Sequence, residues 1–369
     1  MTPNEEAAAA KTPQAPSPPT WLVRMPSAMA EGGAALLKRA GFQLGKRLGE
    51  EMALVRGPVG AHPRQGDAAI VVTWAIPVDH AWPCCPQEME GFVEKAAQAL
   101  FRKFGAKNLQ ALLVGQLNPG SPIRYYRTLA SNLRGRALQL FPHLAHGDAE
   151  AQAPEKPTLF CLVGREGLFA GIASPREANG FYPGGVKFIA QGRGTISRAG
   201  AKLAGALHAL TLHRPVPEKG AHWLDLGASP GGMTWELLRR DYRVTAVDRA
   251  PLDPQLRREE NLTFIREDAV FFRPDPGERF DAMVCDMNGD PERSFEDVAR
   301  LSAHLKRGGP VVFTLKTPGA GSIDDILRLH RTVVRLAEGA GLREITATHL
   351  PYNRQELTLF FERTGTGGR

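Results

Sequence analysis

Apolar positions along this chain follow two rhythms, and the change falls near its middle. In the first half, residues 88–104 repeat apolar side chains at helical spacing, and residues 30–38 and 122–140 also read as helices. Shorter apolar stretches over residues 51–56, 68–76 and 111–117 read as strands. The run 68–78 is the longest apolar stretch, broken by Thr73 and Pro77, and is too short to cross a bilayer as a helix. Residues 158–163 and 167–173 form a hairpin pattern that turns at Arg165-Glu166. Ordered structure is expected to begin at Trp21-Leu22-Val23. These elements show no regular crossover rhythm, which points to an α+β region.

From Ser197 onward, strands and helices alternate. Residues 197–212 read as a helix with Ser197 as its N-cap. Strands are expected over 222–226, 243–247, 262–265, 281–285, 310–315, 343–349 and 356–362. Helices are expected over 233–240, 295–305 and 323–340. Such alternation predicts an α/β, doubly wound, mainly parallel sheet. The last two strands are too close for a crossover helix and should pair antiparallel. The chain therefore divides into a disordered tail rich in Ala, Pro, Thr and Ser (1–20), the α+β region (21–175), a Gly- and Pro-containing connector (176–196), the sheet domain (197–363) and a short tail (364–369).

A length of 369 residues allows two or three domains. The net charge of +7 and pI near 9.4 favour an anionic partner, most simply nucleic acid. A GC-rich genome writing Arg for Lys would leave the same excess on a merely solvated surface. The helix over 122–140 carries Arg124, Tyr125, Tyr126, Arg127, Arg134 and Arg136. It can track a phosphate backbone while its rings stack on bases. Alternatively, Tyr125 and Leu129 face the core and the arginines are only solvated. Cys84 and Cys85 are adjacent, Cys161 and Cys285 lie in apolar runs, and no pair has zinc-site spacing. They read as reduced core thiols of a cytoplasmic protein, with no metal site. The N-terminus lacks the basic and long apolar regions of a secretion signal, so no membrane association is expected.

The chemistry concentrates in Asp225-Leu226-Gly227-Ala228-Ser229-Pro230-Gly231-Gly232, a strand running into a glycine-rich turn. The glycines allow a sharp turn and close backbone approach to a ligand. The spacing and Pro230 depart from the dinucleotide pattern, and no Walker lysine follows. Asp248 ends the next strand, where an acid binds ribose hydroxyls, and Asp268 follows the third, placed to accept from an adenine amino group. Acids at successive strand ends point to an adenosine-containing cofactor, although each alone can be a helix N-cap.

The run from Asp225 to Gly232 resembles motif I of class I S-adenosylmethionine methyltransferases. It is most similar to the FtsJ-like ribose 2′-O-methyltransferases, and the resemblance covers about residues 197–362. Ser197-Arg198-Ala199-Gly200-Ala201-Lys202-Leu203, Val284-Cys285-Asp286-Met287, Thr314-Leu315-Lys316-Thr317-Pro318 and Arg354-Gln355-Glu356-Leu357-Thr358 are similar to the motifs that carry that family's Lys-Asp-Lys-Glu tetrad. The resemblance implies a Rossmann-like sheet with an antiparallel last strand and S-adenosylmethionine as cofactor. It places the cofactor against Ser197, Asp225, Gly227, Ala228, Ser229, Pro230, Gly231, Gly232, Asp248, Asp268 and Asp286. It makes Lys202, Asp286, Lys316 and Glu356 catalytic. Lys316 is then expected to accept or steer the 2′-hydroxyl proton, oriented by Asp286 and Glu356, while Lys202 tunes the field. Burial and a second cation would lower the lysine pKa from about 10.4, and the carboxylates would oppose that shift.

Over the whole chain, Phe181-Tyr182-Pro183-Gly184-Gly185-Val186-Lys187-Phe188 and Arg266-Glu267-Asp268-Ala269-Val270-Phe271-Phe272-Arg273-Pro274 resemble the large-subunit ribosomal RNA methyltransferase M family. That implies a THUMP-like RNA-binding region in the first half. It also implies a cytidine of 23S ribosomal RNA, naked or in a precursor particle, as target. Transfer RNA and a non-enzymatic RNA-binding module are the alternatives, and monomer or homodimer is left open. Asp286-Met287-Asn288-Gly289 is not the Asp/Asn-Pro-Pro-Tyr motif common in base N-methyltransferases. Cys285 is expected to point to the opposite side of its strand from Asp286, which argues against C5-cytosine chemistry.

Overall fold

Each sheet of this chain takes its place from which strand faces are apolar. The computed structural model describes residues 18–82, 88–120, 123–144, 149–189, 195–317 and 319–365. Most of the two expected tails, together with Cys84, Cys85 and Pro318, lie outside the described residues. The first region opens with β1 (Thr20–Arg24), α1 (Ala30–Arg39), β2 (Gln43–Arg47), β3 (Met52–Arg56) and β4 (Trp74–Pro77). Their strands form an antiparallel sheet in the order β2-β3-β1-β4. Next come β5 (His80–Trp82), α2 (Met89–Phe104), β6 (Ala111–Gln116), α3 (Arg124–Leu140), β7 (Thr158–Gly164) and β8 (Gly167–Ala173). Here the order is β5-β8-β7-β6, with β6 and β7 parallel and the hairpin β7–β8 antiparallel.

After the short α4 (Pro175–Ala178), the sheet domain runs α5 (Ala199–Leu210), β9 (His222–Leu226), α6 (Gly232–Leu238), β10 (Arg243–Val247), β11 (Leu262–Ile265) and β12 (Ala282–Cys285). It continues through α7 (Pro291–Leu301), β13 (Pro310–Lys316), α8 (Ile323–Gly339), β14 (Leu342–Thr348) and β15 (Glu356–Arg363). The strand order is β11-β10-β9-β12-β13-β15-β14. All neighbours are parallel except β15, which runs antiparallel to both β13 and β14. Helices cover both faces, so β12 and nearly all of β13 and β15 are buried, as continuous apolar runs require. One face packs Leu203 and Leu207 of α5 and Leu237 of α6 against Trp223 and Val284. The other packs Phe295, Val298 and Leu327 against Leu226 and Phe313. The same core continues into the first sheet through Val23, Leu36 and Val71. Exposed ion pairs Arg39–Asp324 (2.5 Å) and Arg331–Asp67 (2.7 Å) flank that junction. Such pairs add little, and the shared core holds the two parts together. Among the described residues, no helix is long and apolar enough to cross a membrane.

Several sequence expectations need correction. The run 68–76 is not one strand: Gly66–Ile70 is a 3₁₀ turn, and only Trp74–Pro77 pairs in a sheet. The apolar side chains there are buried through the turn as well, so burial without a period misled the reading. β2 and β5 were not anticipated. Ser197 is not the N-cap of α5; that position is Arg198, and Ser197 Oγ accepts from the Ala199 amide at 3.3 Å. The helix expected from residue 295 starts at Pro291, capped by Asp290 accepting from Arg293 N at 3.0 Å.

The basic helix α3 is partly structural. Arg136 pairs with Glu94 of α2 at 2.6 Å, Arg134 donates to Leu112 O at 3.4 Å, and Leu129 is fully buried. Tyr125 and Tyr126 meet edge to face and pack against the core, leaving Arg124 and Arg127 on the exposed side. Cys161 and Cys285 are buried free thiols, and burial pushes the Cys285 thiol up to about 12.

Candidate active site

The order of the large sheet reverses between β9 and β12, where α/β proteins leave a crevice beyond the strand ends. The glycine-rich turn fills one wall of it. Gly227 has φ of +77°, and a Cβ there would lie 2.9 Å from the Met287 backbone. Gly231, at φ +111°, caps α6, and a Cβ on Gly232 would sit 2.0 Å from Ser197 Oγ. Glycine is therefore required both by conformation and by the close packing of α5 on α6.

The resulting cleft has a volume of about 720 Å³. It brings together Gly227, Ala228, Ser229, Pro230, Gly232, Asp248, Asp268 and Asp286, as the motif reading expects. Asp248 stiffens the turn by accepting from Ser229 N at 2.9 Å and Ala250 N at 2.8 Å. Asp268 accepts from Val270 N at 3.1 Å and faces Arg249 at 3.5 Å. A carboxylate oxygen has two lone pairs, so both acids retain acceptor capacity.

Three expected cofactor residues do not line the cleft. Ser197 packs beneath it against Gly232. Gly231 contributes backbone conformation, with Leu256 over the place of its missing side chain. Asp225 is buried below the turn and accepts from Thr234 Oγ1 at 2.6 Å. Burial pushes its carboxyl up to about 7; the Thr234 bond opposes that shift, and the Asp286 and Asp248 charges add to it. Glu267, Asn288, Arg293 and Asp297 line the cleft although sequence reasoning did not single them out. The one readable signal was Asn288-Gly289-Asp290-Pro291, a turn with an N-cap acid and first-turn proline.

The four charged residues from distant motifs meet at the cleft's edge. Lys316 ends β13 and Glu356 begins β15, and the antiparallel ladder sets them directly opposite each other. Asp286 follows β12, and Lys202 arrives from α5. Lys202 Nζ donates to Asp286 Oδ1 and Oδ2 (2.9 and 3.0 Å) and pairs with Glu356 Oε1 at 2.7 Å. Lys316 Nζ donates to Asp286 Oδ1 at 2.7 Å and Glu356 Oε2 at 2.9 Å. Each ammonium thus bridges both carboxylates in a closed ring, with side-chain exposures of only 11–15%. Burial acts to lower the Lys316 pKa, but Asp286 and Glu356 outweigh it, and the net direction is upward. This reverses the expected downward shift: Lys316 rests as an ammonium ion.

Two members of the ring, Lys202 and Asp286, lie inside a recognisable stretch of sequence, and Lys316 and Glu356 follow beyond its end. Curated relatives include the ribosomal RNA large subunit methyltransferase M proteins of Halorhodospira halophila, 34% identical over 54% of this chain and 56% of that one, and of Aromatoleum aromaticum, 33% identical over 56% and 55%. The Methylococcus capsulatus protein of the same name is 35% identical over 49% of this chain and 51% of its own. The chain spans about half the length of these curated relatives. Residues 195–313, from just before α5 into β13 and including the glycine turn, Lys202 and Asp286, match the family model of FtsJ-like methyltransferases.

Proposed function

We propose that this chain transfers a methyl group from S-adenosylmethionine to a ribose 2′-hydroxyl of RNA, with 23S ribosomal RNA or a large-subunit precursor as substrate. The closed Lys202–Asp286–Lys316–Glu356 ring at the edge of the glycine-turn cleft carries this reading. The cleft suits the cofactor by its donor set. Asp248 and Asp268 stand at successive strand ends, where ribose hydroxyls and an adenine amine find acceptors, and the glycine turn admits close approach. When bound, S-adenosylmethionine supplies an electrophilic methyl group.

Positioning is the main work of the ring. Lys316 holds the hydroxyl oxygen in line with the incoming methyl. Asp286 and Glu356 fix both ammonium groups, and one of the two carboxylates would accept the single hydroxyl proton as the methyl passes from sulfonium sulfur to oxygen and the cofactor leaves as the neutral thioether. Lys202 balances the second carboxylate charge, so the buried ring stays paired. The full chain, incubated with labelled cofactor and large-subunit RNA from cells lacking this gene, should yield a 2′-O-methylated nucleoside. Label recovered only on a base would refute the reaction class.

A further inference from the structure

The sheet sets three of the four ring residues. Lys316 and Glu356 face each other in the β13–β15 ladder, and Asp286 follows β12, the parallel neighbour of β13. Lys202 has no such ladder. It stands on α5, yet its ammonium pairs with Glu356 Oε1 at 2.7 Å. Apolar packing is non-directional, and packed helices slide by small amounts, so a further contact has to hold this spacing. Tyr352 lies where it can do so. It belongs to the β14–β15 connection, four residues before Glu356. Its ring covers Gly205 of α5, three residues beyond Lys202: a Cβ there would lie 3.6 Å from Tyr352 Cδ2.

Both sides of that contact are anchored. Toward the ring, the connection is tied to its strands. Asn353 Nδ2 donates to Thr358 Oγ1 at 3.1 Å, Asn353 N to Leu350 O at 3.0 Å, and Thr317 N to Gln355 O at 2.9 Å. Away from the ring, the Tyr352 hydroxyl accepts from Ile189 N at 2.6 Å and donates to Ile189 O at 3.3 Å. The connector that carries Ile189 is fixed in turn to the first region. Asn179 Nδ2 donates to Thr73 O at 2.9 Å, Arg24 Nη1 donates to Gly184 O at 3.4 Å, and Lys187 pairs with Glu150 at 2.6 Å. A phenylalanine would fill the same space over Gly205 but could make neither hydrogen bond to Ile189. The hydroxyl is therefore what links the β15 edge of the ring to the connector.

We propose that Tyr352 is a positioning residue for methyl transfer. Held by its hydroxyl on Ile189 and resting on Gly205, it sets the distance between α5 and the start of β15, and so between Lys202 and Glu356. The assignment rests on the 2′-O-methyl transfer reading above. Without the hydroxyl, the connection loses its hold on the connector, and the Lys202–Glu356 pair loosens. Glu356 also holds Lys316, so the group that orients the acceptor hydroxyl loses its place. A displacement of about 1 Å at a reacting centre costs about a hundredfold in rate. Tyr352 does not line the cofactor cleft, so the loss falls on turnover and not on cofactor binding. The first region thereby contributes to the geometry of the ring through the connector.

The test uses the purified full chain, S-adenosylmethionine with a labelled methyl, and large-subunit RNA from cells deleted for this gene. Tyr352→Phe should lower kcat for 2′-O-methyl formation by about ten- to a hundredfold. The RNA KM and the calorimetric cofactor Kd should hold, and Tm should fall by no more than about 4 °C. Tyr352→Ala, which also empties the space over Gly205, should lower kcat at least as far. Wild-type kcat in Tyr352→Phe overturns the assignment, because packing on Gly205 alone would then suffice. A change confined to the RNA KM overturns it too, and would make Tyr352 a contact to RNA. So does a larger fall in Tm with cofactor affinity lost in step, the mark of a merely structural tyrosine. If the wild-type chain binds cofactor yet forms no 2′-O-methyl nucleoside, the underlying reaction falls first and this assignment with it.

Discussion

Lys316 and Asp225 are both displaced in pKa, in ways that separate their roles. The carboxylates that hold Lys316 raise its pKa, so its ammonium form survives to higher pH than an ordinary lysine near 10.4. An activity that depends on that ammonium should be flat between pH 7 and 9, in rates of methyl transfer at saturating cofactor and RNA. A tenfold rise per pH unit across that range would mean that neutral lysine is the base. Asp225 is a different case, buried under the glycine turn with a carboxyl pushed up to about 7 from 3.8. Between those values the folded state binds more protons than the unfolded one, so its contribution is present at low pH and lost as pH rises through 7. Asp225→Asn removes that loss. Thermal unfolding should show little difference between wild type and variant at pH 4, and a growing advantage for the variant toward pH 8. An unchanged gap would mean that the carboxyl is solvated after all. Motif position alone suggested that Asp225 touches cofactor; its Thr234 bond and burial were not legible from the sequence.

Among elements, the legible ones were those whose burial imposes a period. β9, β10 and β11 appeared at the expected bounds, and β13, β14 and β15 within a residue or so. β9, β10, β13 and β15 are buried almost throughout, as continuous apolar runs in a sheet covered on both faces require, whereas the edge strands β11 and β14 are only partly buried. β2 was missed because all five of its residues are exposed, and β5 because three residues carry no pattern. The run 68–76 shows the converse: a chain buried without regular structure looks like a strand. The turn between β9 and α6 was read correctly as glycine-dependent, and its strain can be measured. Gly227→Ala forces a side chain into positive φ and against the Met287 backbone. It should cost at least about 1–2 kcal/mol of stability and weaken cofactor binding, as seen by chemical denaturation and calorimetry. Wild-type stability and affinity in that variant would mean that the turn relaxes freely.

For the whole molecule, the sequence announced two unlike halves but not their junction. α1 and the first sheet share one core with α8 and the large sheet, built from contacts hundreds of residues apart. No local pattern specifies such a contact, and it is this docking that places Arg24 and Glu51 beside the β14–β15 connection. The net charge of +7 belongs to this scale as well. If RNA is the partner, log affinity for RNA should fall linearly with log salt concentration, whereas cofactor affinity should change little. Equal salt responses would assign the basic excess to ordinary solvation. The central claim is that the four-residue ring transfers methyl to ribose, and Lys316→Ala tests it most directly. Methyl incorporation into large-subunit RNA, read as 2′-O-methylated nucleoside after digestion, should fall at least about a hundredfold while calorimetric cofactor affinity stays at the wild-type value. Wild-type incorporation by Lys316→Ala would contradict the account.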